Sequence, residues 1–455
     1  MIGVKVTIPV SNEEIIKWTN TCPKFSGDFG SDINLFQKFI AYGELLLSGL
    51  SKRDNRDANE HHYAETIHFH SRNLRFDLLS HHCEHIYEIL TEKNKLFFRL
   101  DELAYKASEI FDGLTPTISA MNEETNKPQL EREAREFDQA IFVHKILRSN
   151  KCGNHLLEAM RRPLKKSQDI ISVFHKVGCV ELDKVILQRQ ENGLCYVTIQ
   201  NDEHLNSEDD QLMNDLEVAV DLVNLDSKTL VGIMRGGVMK HPSYSGRRVF
   251  SAGINLKYLG EGKISFLNFF LGREMGLLGK IQRGLSPNSW NSIQNAFCNE
   301  KPWLAVVDTF AIGGGAQLLL AFDKVIAASD SYIILPAANE GFIPGAANLR
   351  LTRFCGSRLA RHLIFDGKKL RADQEESKYF FDRIEDQSVL DEVVEAEANL
   401  LTHPATVANR RMLMAAEEPQ DHFREYMADF CLNQIYCLYN KDIIQKIASQ
   451  WSRKL

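Results

Sequence analysis

The run FAIGGGAQLLLAFDKV, residues 310–325, sets Gly313, Gly314 and Gly315 side by side in an apolar stretch and follows them with a single amide, Gln317. Two backbone N–H groups aimed at one point can hold an oxygen that gains negative charge, and backbone reaches a ligand closely only where side chains are absent. Lying between a strand-like and a helix-like run, the triplet would also stand at the positive end of a helix. Taken alone, it is equally a tight strand-to-helix turn. A second run, GRRVFSAGINLKYL at 246–259, has the same construction, with Gly253 followed by Ile254. Gln317 cannot exchange a proton near neutral pH, so acid–base work at that position is excluded.

Elements of two kinds must position these loops. From about residue 31 to 175 the apolar spacing is helical: Phe76, Leu79, Cys83, Ile86 and Leu90 recur at three- and four-residue steps, and Leu96, Leu100, Leu103, Ala107, Ile110 and Phe111 follow. The segment 112–130, with its glycine and prolines, reads as a connection. At 184–200 the period becomes that of strands, and Glu191-Asn192-Gly193 predicts a tight hairpin. Strand-like runs at 229–236, 303–313, 324–329 and 331–336 then alternate with helical ones, which predicts an α/β domain. The reading is an all-helical domain over 1–178, an α/β core over 179–388 and a helical region over 389–455.

The composition narrows the function. Of the 455 residues, 44% are hydrophobic and 25% charged, as in soluble globular proteins. A net charge of −7 opposes general nucleic-acid binding, which needs a basic face. The opening MIGVKVTIPVSNEE lacks the apolar core of a signal peptide and no long uncharged run follows, so a cytoplasmic protein off the membrane is expected. Nine cysteines, Cys298 among them, occur singly, without the paired spacing of a zinc site. Seven histidines fall between His61 and His85; His81 and His85 with Glu84 or Glu88 could be drawn as an open metal site. The alternative, preferred here, is a polar helix face, because His82 and Glu84 point elsewhere; no metal is expected.

The two glycine loops, about sixty residues apart, resemble those of the crotonase superfamily, the enoyl-CoA hydratase/isomerase fold. EGFIPGAANLRL at 340–351 is similar to its G-x-x-P-G segment, and NDEHLNSED at 201–209 to its early strand-to-helix turn. The resemblance implies a crotonase-like ββα spiral over the core, with Ile254 and Gly314 as the two donors to a coenzyme A thioester carbonyl. Ala252, Gly313 and Gly315 would stand against the same substrate. Hydratases of the family carry a glutamate two residues after the glycine run and another before G-x-x-P-G; this chain has Gln317 and Ala337 there. Ordinary alkene hydration by that pair is therefore excluded.

The resemblance extends to a branch of cofactor-independent dioxygenases acting on hydroxylated arylacetyl-CoA thioesters, in which an enolate reacts directly with molecular oxygen and no metal or flavin takes part. It implies that Glu208, Arg273 and Gln317 hold ring hydroxyls. Glu208 is otherwise a first-turn helix acid and Arg273 a solvated helix residue. Arg247 and Arg248 would meet coenzyme A phosphates, or are solvated strand-edge residues. Phe266, Leu267, Phe269 and Phe270 would line the aryl pocket, or are core. No residue is singled out as the base for the substrate proton. Two rivals stay open: a hydrolase or isomerase of the same fold not using oxygen, and a non-catalytic acyl-CoA-binding protein. A homo-oligomer, trimer or hexamer, is implied by the family, and the segment 429–447 has an apolar face that could pack on a neighbour.

Overall fold

The computed structural model describes residues 10–287 and 299–445; Cys298 and the ends of the chain, 1–9 and 446–455, lie outside them. The described cysteines are all free. By compactness the chain divides into two units, one of residues 1–156 with 431–444 and one of 157–430 with 445–455. The boundary drawn at 178 from the change of period falls inside the second unit. The helix Lys165–Val177 packs there, with Leu164 N–H and Ser167 Oγ both donating to Asp221 (2.7 and 2.8 Å).

The first unit is helical. Asp28 caps the helix Phe29–Gly49 and Asp57 caps the 33-residue helix Ala58–Leu90, each by accepting a backbone N–H. Leu79, Ile86 and Leu90 are buried as the spacing predicts, whereas Phe76 is 38% exposed and lies under the Lys145 ammonium. The segment 112–130 is more than a connection, because it contains the helix Ile118–Thr125, capped by Thr117.

The histidines diverge to separate partners. His82 Nε2 lies 2.8 Å from the buried carboxylate of Asp32, His81 Nδ1 meets the Asp77 carbonyl, and His85 packs edge-on against Phe29. Burial alone would raise the Asp32 pKa, but hydrogen bonds from Ser26, His82 and Gly27 hold it well below the usual carboxylate range. Cys431, Ile435 and Leu438, the apolar face of the late helix, are buried within this same unit. The Leu438 carbonyl accepts from Gln129, and Tyr439 donates to Glu136 at 2.7 Å. This chain itself thus covers a face that was open to a neighbour in the sequence reading.

The second unit is α/β. Its strands are β1 (Cys179–Glu181), β2 (Val185–Arg189), β3 (Leu194–Ile199), β4 (Val231–Gly236), β5 (Trp303–Val307), β6 (Phe310–Ile312), β7 (Lys324–Ala328), β8 (Tyr332–Ile334), β9 (Leu370–Arg371) and β10 (Arg383–Glu385). One sheet runs β1-β2-β3-β4-β5-β7-β10 and a small second sheet runs β6-β8-β9. β2 and β3 form the expected antiparallel hairpin, and from β3 to β10 the large sheet is parallel. Its strands are accordingly apolar on both faces, with Leu194, Val231, Ile233, Leu304, Val306 and Ile326 packing against Leu390, Val394 and Ala398 of the helix Leu390–Leu401. No helix among the described residues is long and apolar enough to cross a membrane.

Behind the sheet, the helix Asp210–Leu225 starts two residues after Glu208, its first turn capped by Asp209. It is tied to the segment that follows Arg273 by a buried charge triad: Lys280 Nζ lies 2.8 Å from Glu217 and 2.7 Å from Asp221. Removing the cation leaves two buried carboxylates facing each other, so Lys280→Ala is expected to cost about 3–5 kcal/mol in urea unfolding. A loss below about 1 kcal/mol would show that the triad does not hold these segments together.

Candidate active site

The two glycine loops meet backbone to backbone. Ile312 N–H donates to Ser251 O (2.9 Å) and Phe250 N–H to Phe310 O (3.2 Å), so β6 pairs with the 246–259 run one strand before each glycine. At the crossing, Gly253 takes φ +82°, and a Cβ there would stand 2.8 Å from the Ile312 carbonyl oxygen and 3.3 Å from the Gly314 nitrogen. Glu208 and Ile254 form a single parallel bridge, with Glu208 N–H donating to Gly253 O and Asn255 N–H to Glu208 O. That pattern leaves the N–H of Ile254 unused. Gly313 N–H donates to Ile334 O, whereas Gly314 N–H opens the helix Gly314–Leu319 and, like that of Ile254, meets no acceptor among the described residues. Ile254 and Gly314 thus line the same cavity, each with an N–H that has no acceptor among the described residues.

Above Gly314 lies a cluster of charge. A Cβ on Gly314 would come within 2.3 Å of Glu208 Oε2, so the carboxylate sits directly against the glycine backbone. Glu208 is 1% exposed; Arg273 Nε donates to its Oε2 (3.0 Å) and Ser251 Oγ to its Oε1 (3.2 Å). Burial raises its pKa, against the pull of Arg273 in the other direction. Arg273 also gives Nη1 to Glu274 (3.0 Å) and Nη2 to the Gly314 carbonyl (2.6 Å), using three of its five N–H donors. Gln317, 4% exposed, donates its Nε2 to the same Glu274 oxygen, and Ala346 N–H donates to the other (3.1 Å).

Glu208, Ile254, Phe270, Arg273, Gly314 and Gln317 line one cavity of about 60 Å³, closed by Phe269, Phe342 and Ile343. Phe266 and Leu267 are buried but lie outside its lining and belong to the packing. Ala337, where a hydratase would carry its second acid, lies in the wall. The elements that present these groups are short. Phe266–Leu271 and Arg273–Leu278 wind as π-helix, a rare wide turn, and the adjacent Arg273 and Glu274 meet in one cluster.

Four candidates fall elsewhere. Arg247 is exposed and paired with Asp330 (2.6 Å), and Arg248 donates to Gly236 O (3.2 Å); both line a second cavity, of about 480 Å³, with Asp308 and Thr309. Ala252 packs with Met239, Val249 and Phe310. Gly315 is pressed on Ser251, where a Cβ would meet the serine at 2.6 Å. Sequence reasoning passed over Glu274, Ser251 and Tyr426, whose hydroxyl donates to Gly345 O (2.6 Å). A second acid directly beside a nominated arginine was the available signal for Glu274. An α-helical period assigns adjacent residues to different faces, and the wide turn removes that separation.

Residues 189–429 match the model of the enoyl-CoA hydratase/isomerase family, and the chain belongs to that family. It is similar to the (3,5-dihydroxyphenyl)acetyl-CoA 1,2-dioxygenase of Amycolatopsis orientalis, with 44% identity over 430 residues, 94% of this chain and 98% of that one. A short-chain-enoyl-CoA hydratase of Clostridium acetobutylicum is 28% identical over 231 residues, 50% of this chain and 79% of that enzyme.

Removing Arg273 would strand two buried carboxylates and free the Gly314 carbonyl. Arg273→Ala is expected to lower unfolding free energy by about 3–5 kcal/mol, and Arg273→Lys to recover only part, since one ammonium cannot span three acceptors as a planar fork does. Recovery of full stability by lysine would show that charge alone matters. For Glu208, a folded-state pKa above the unfolded one contributes stability that is present below the ordinary carboxylate pKa and lost as pH rises through the folded value. Glu208→Gln should therefore gain on the wild type as pH rises from about 4 towards 7 in denaturant titrations. A gap that stays constant or narrows with pH would contradict the direction of the shift.

Proposed function

We propose that this protein is a cofactor-independent dioxygenase that converts a hydroxylated arylacetyl-CoA, 3,5-dihydroxyphenylacetyl-CoA in the first instance, and O2 into the arylglyoxylate and free coenzyme A. The observation that carries the reading is the end-to-end similarity to a dioxygenase of that name, which runs through the helical unit as well as the family domain. The site supports it. The free N–H groups of Ile254 and Gly314 stabilise the thioester oxygen as the α-carbon loses its proton and the enolate forms. The enolate supplies electrons to O2, and the carbon–sulfur bond then breaks. Both oxygen atoms are retained in the arylglyoxylate, and coenzyme A leaves as the thiol. Phe269, Phe270 and Phe342 keep the enolate dry, and Gln317 and Ala337 leave no acid pair to deliver water to an alkene.

Arg273, Glu208 and Gln317 bind ring hydroxyls in this reading, and Arg247 and Arg248 the coenzyme A phosphates. No metal or flavin enters the reaction, and a trimer-based homo-oligomer is the assembly the family implies. One observation favours a rival: Glu208, buried with a raised pKa against Gly314, is an acid that a hydrolase of this fold could use.

Oxygen uptake and thiol release on 3,5-dihydroxyphenylacetyl-CoA, with a strong chelator and an anaerobic control, separate the two. Equal uptake and release, untouched by chelator, is the expected result; thiol release without oxygen would make the protein a thioesterase. Gly314→Ala, which drives a methyl group into Glu208, is expected to lower kcat/KM by about 100-fold or more.

A further inference from the structure

The amide of Gln317 has a polarity fixed from behind. Glu274 is 1% exposed and receives three donors: the Arg273 Nη1 and the Gln317 Nε2 on one oxygen, the Ala346 N–H on the other. A carboxylate surrounded in this way accepts and does not donate, so the Gln317 atom that faces it has to be the NH2 group. The Gln317 carbonyl oxygen is then the atom left over. It accepts no hydrogen bond among the described residues, and Gln317 lines the cavity.

The backing is tightly built. Gly345, at φ +45°, passes so close that a Cβ would stand 2.1 Å from both Gln317 Nε2 and Glu274 Oε1, and Tyr426 holds the Gly345 carbonyl in place. Only a glycine at 345 leaves space for this pair, and the hydrogen bonds to Glu274 set which way the amide faces.

We propose that Glu274 is a positioning residue that sets the polarity of substrate selection: by holding the Gln317 NH2 it offers the cavity a carbonyl oxygen, so the aryl substituent opposite must donate a hydrogen bond. A hydroxyl or amino group satisfies this; a halogen, ether or carbonyl of similar size does not. The inference rests on the arylacetyl-CoA reading of the site. It assigns the discrimination to a side chain that touches Gln317 and not the substrate.

The test is binding without turnover. Full-length protein is titrated anaerobically with 3,5-dihydroxy-, 3,5-difluoro- and unsubstituted phenylacetyl-CoA, fluorine being a near-isostere of hydroxyl that cannot donate. In the wild type the difluoro thioester is expected to bind about 30-fold or more weaker than the dihydroxy one, since it leaves a buried acceptor unpaired. Equal Kd values would overturn the proposal, and this arm needs no variant to fold.

In Glu274→Gln, a single amide oxygen faces three donors and the grip on Gln317 loosens. The hydroxyl-over-fluorine ratio should fall at least about fivefold, with the unsubstituted Kd moving less than about threefold. An unchanged ratio, or an equal loss for all three thioesters, would mean that Glu274 only supports the fold. The paired exchange Glu274→Gln with Gln317→Glu turns the donor–acceptor pair around and again presents an acceptor to the cavity, so the ratio should return; continued loss counts against the proposal. Oxygen uptake is not read here. Absence of uptake with the ratio intact would defeat the dioxygenase reading alone.

Discussion

One guanidinium between two carboxylates, all three almost out of water, orders everything around it. Arg273 reaches Glu208 on one side, Glu274 on the other and the Gly314 carbonyl between them. Each of those partners has a second duty, since Glu208 bridges to Ile254, Glu274 holds Gln317, and Gly314 presents its N–H to the cavity. A buried ion pair is a poor source of net stability, because desolvation offsets most of the attraction, but it penalises every arrangement that leaves one member alone. Here that penalty acts on both glycine loops and on the wide helix together.

The supports of this cluster are themselves polar and buried. The Asn206 side chain donates to Ile199 O (3.2 Å) and Val249 O (2.7 Å), tying the end of β3 to the run that carries Gly253. Lys280 binds the helix that begins beyond Glu208. The parallel sheet supplies the stiff platform, and loops at the carboxyl ends of β3 and β6 line the cavity, as is usual where a rigid scaffold positions functional groups.

Much of this was legible in the residues. The glycine runs, the hairpin at Asn192-Gly193 and the alternation of strand and helix each reflect a local constraint that leaves its mark in composition, and Ile254 and Gly314 follow from the motif around them. Glu274 was not legible, because its role depends on a π-helical turn that no simple period encodes. Phe76 misled for the opposite reason: it fits the apolar spacing but packs its face on Lys145 at the surface. Arg247 and Arg248 are cationic in the right run, yet their neighbours are set by tertiary contacts with Asp330 and with Gly236 and Val238, which a linear pattern does not record.

The contact between Gln317 and Glu274 also bears on how such a site can change over generations. A single codon step from glutamine to glutamate at 317 would seem to restore the acid a hydratase carries there. It would instead put two carboxylates at hydrogen-bonding distance, and like charges that close share one proton between them. The step is therefore obstructed by the neighbour as well as by Ala337, and an acid at 317 would be tolerated only with a change at 274.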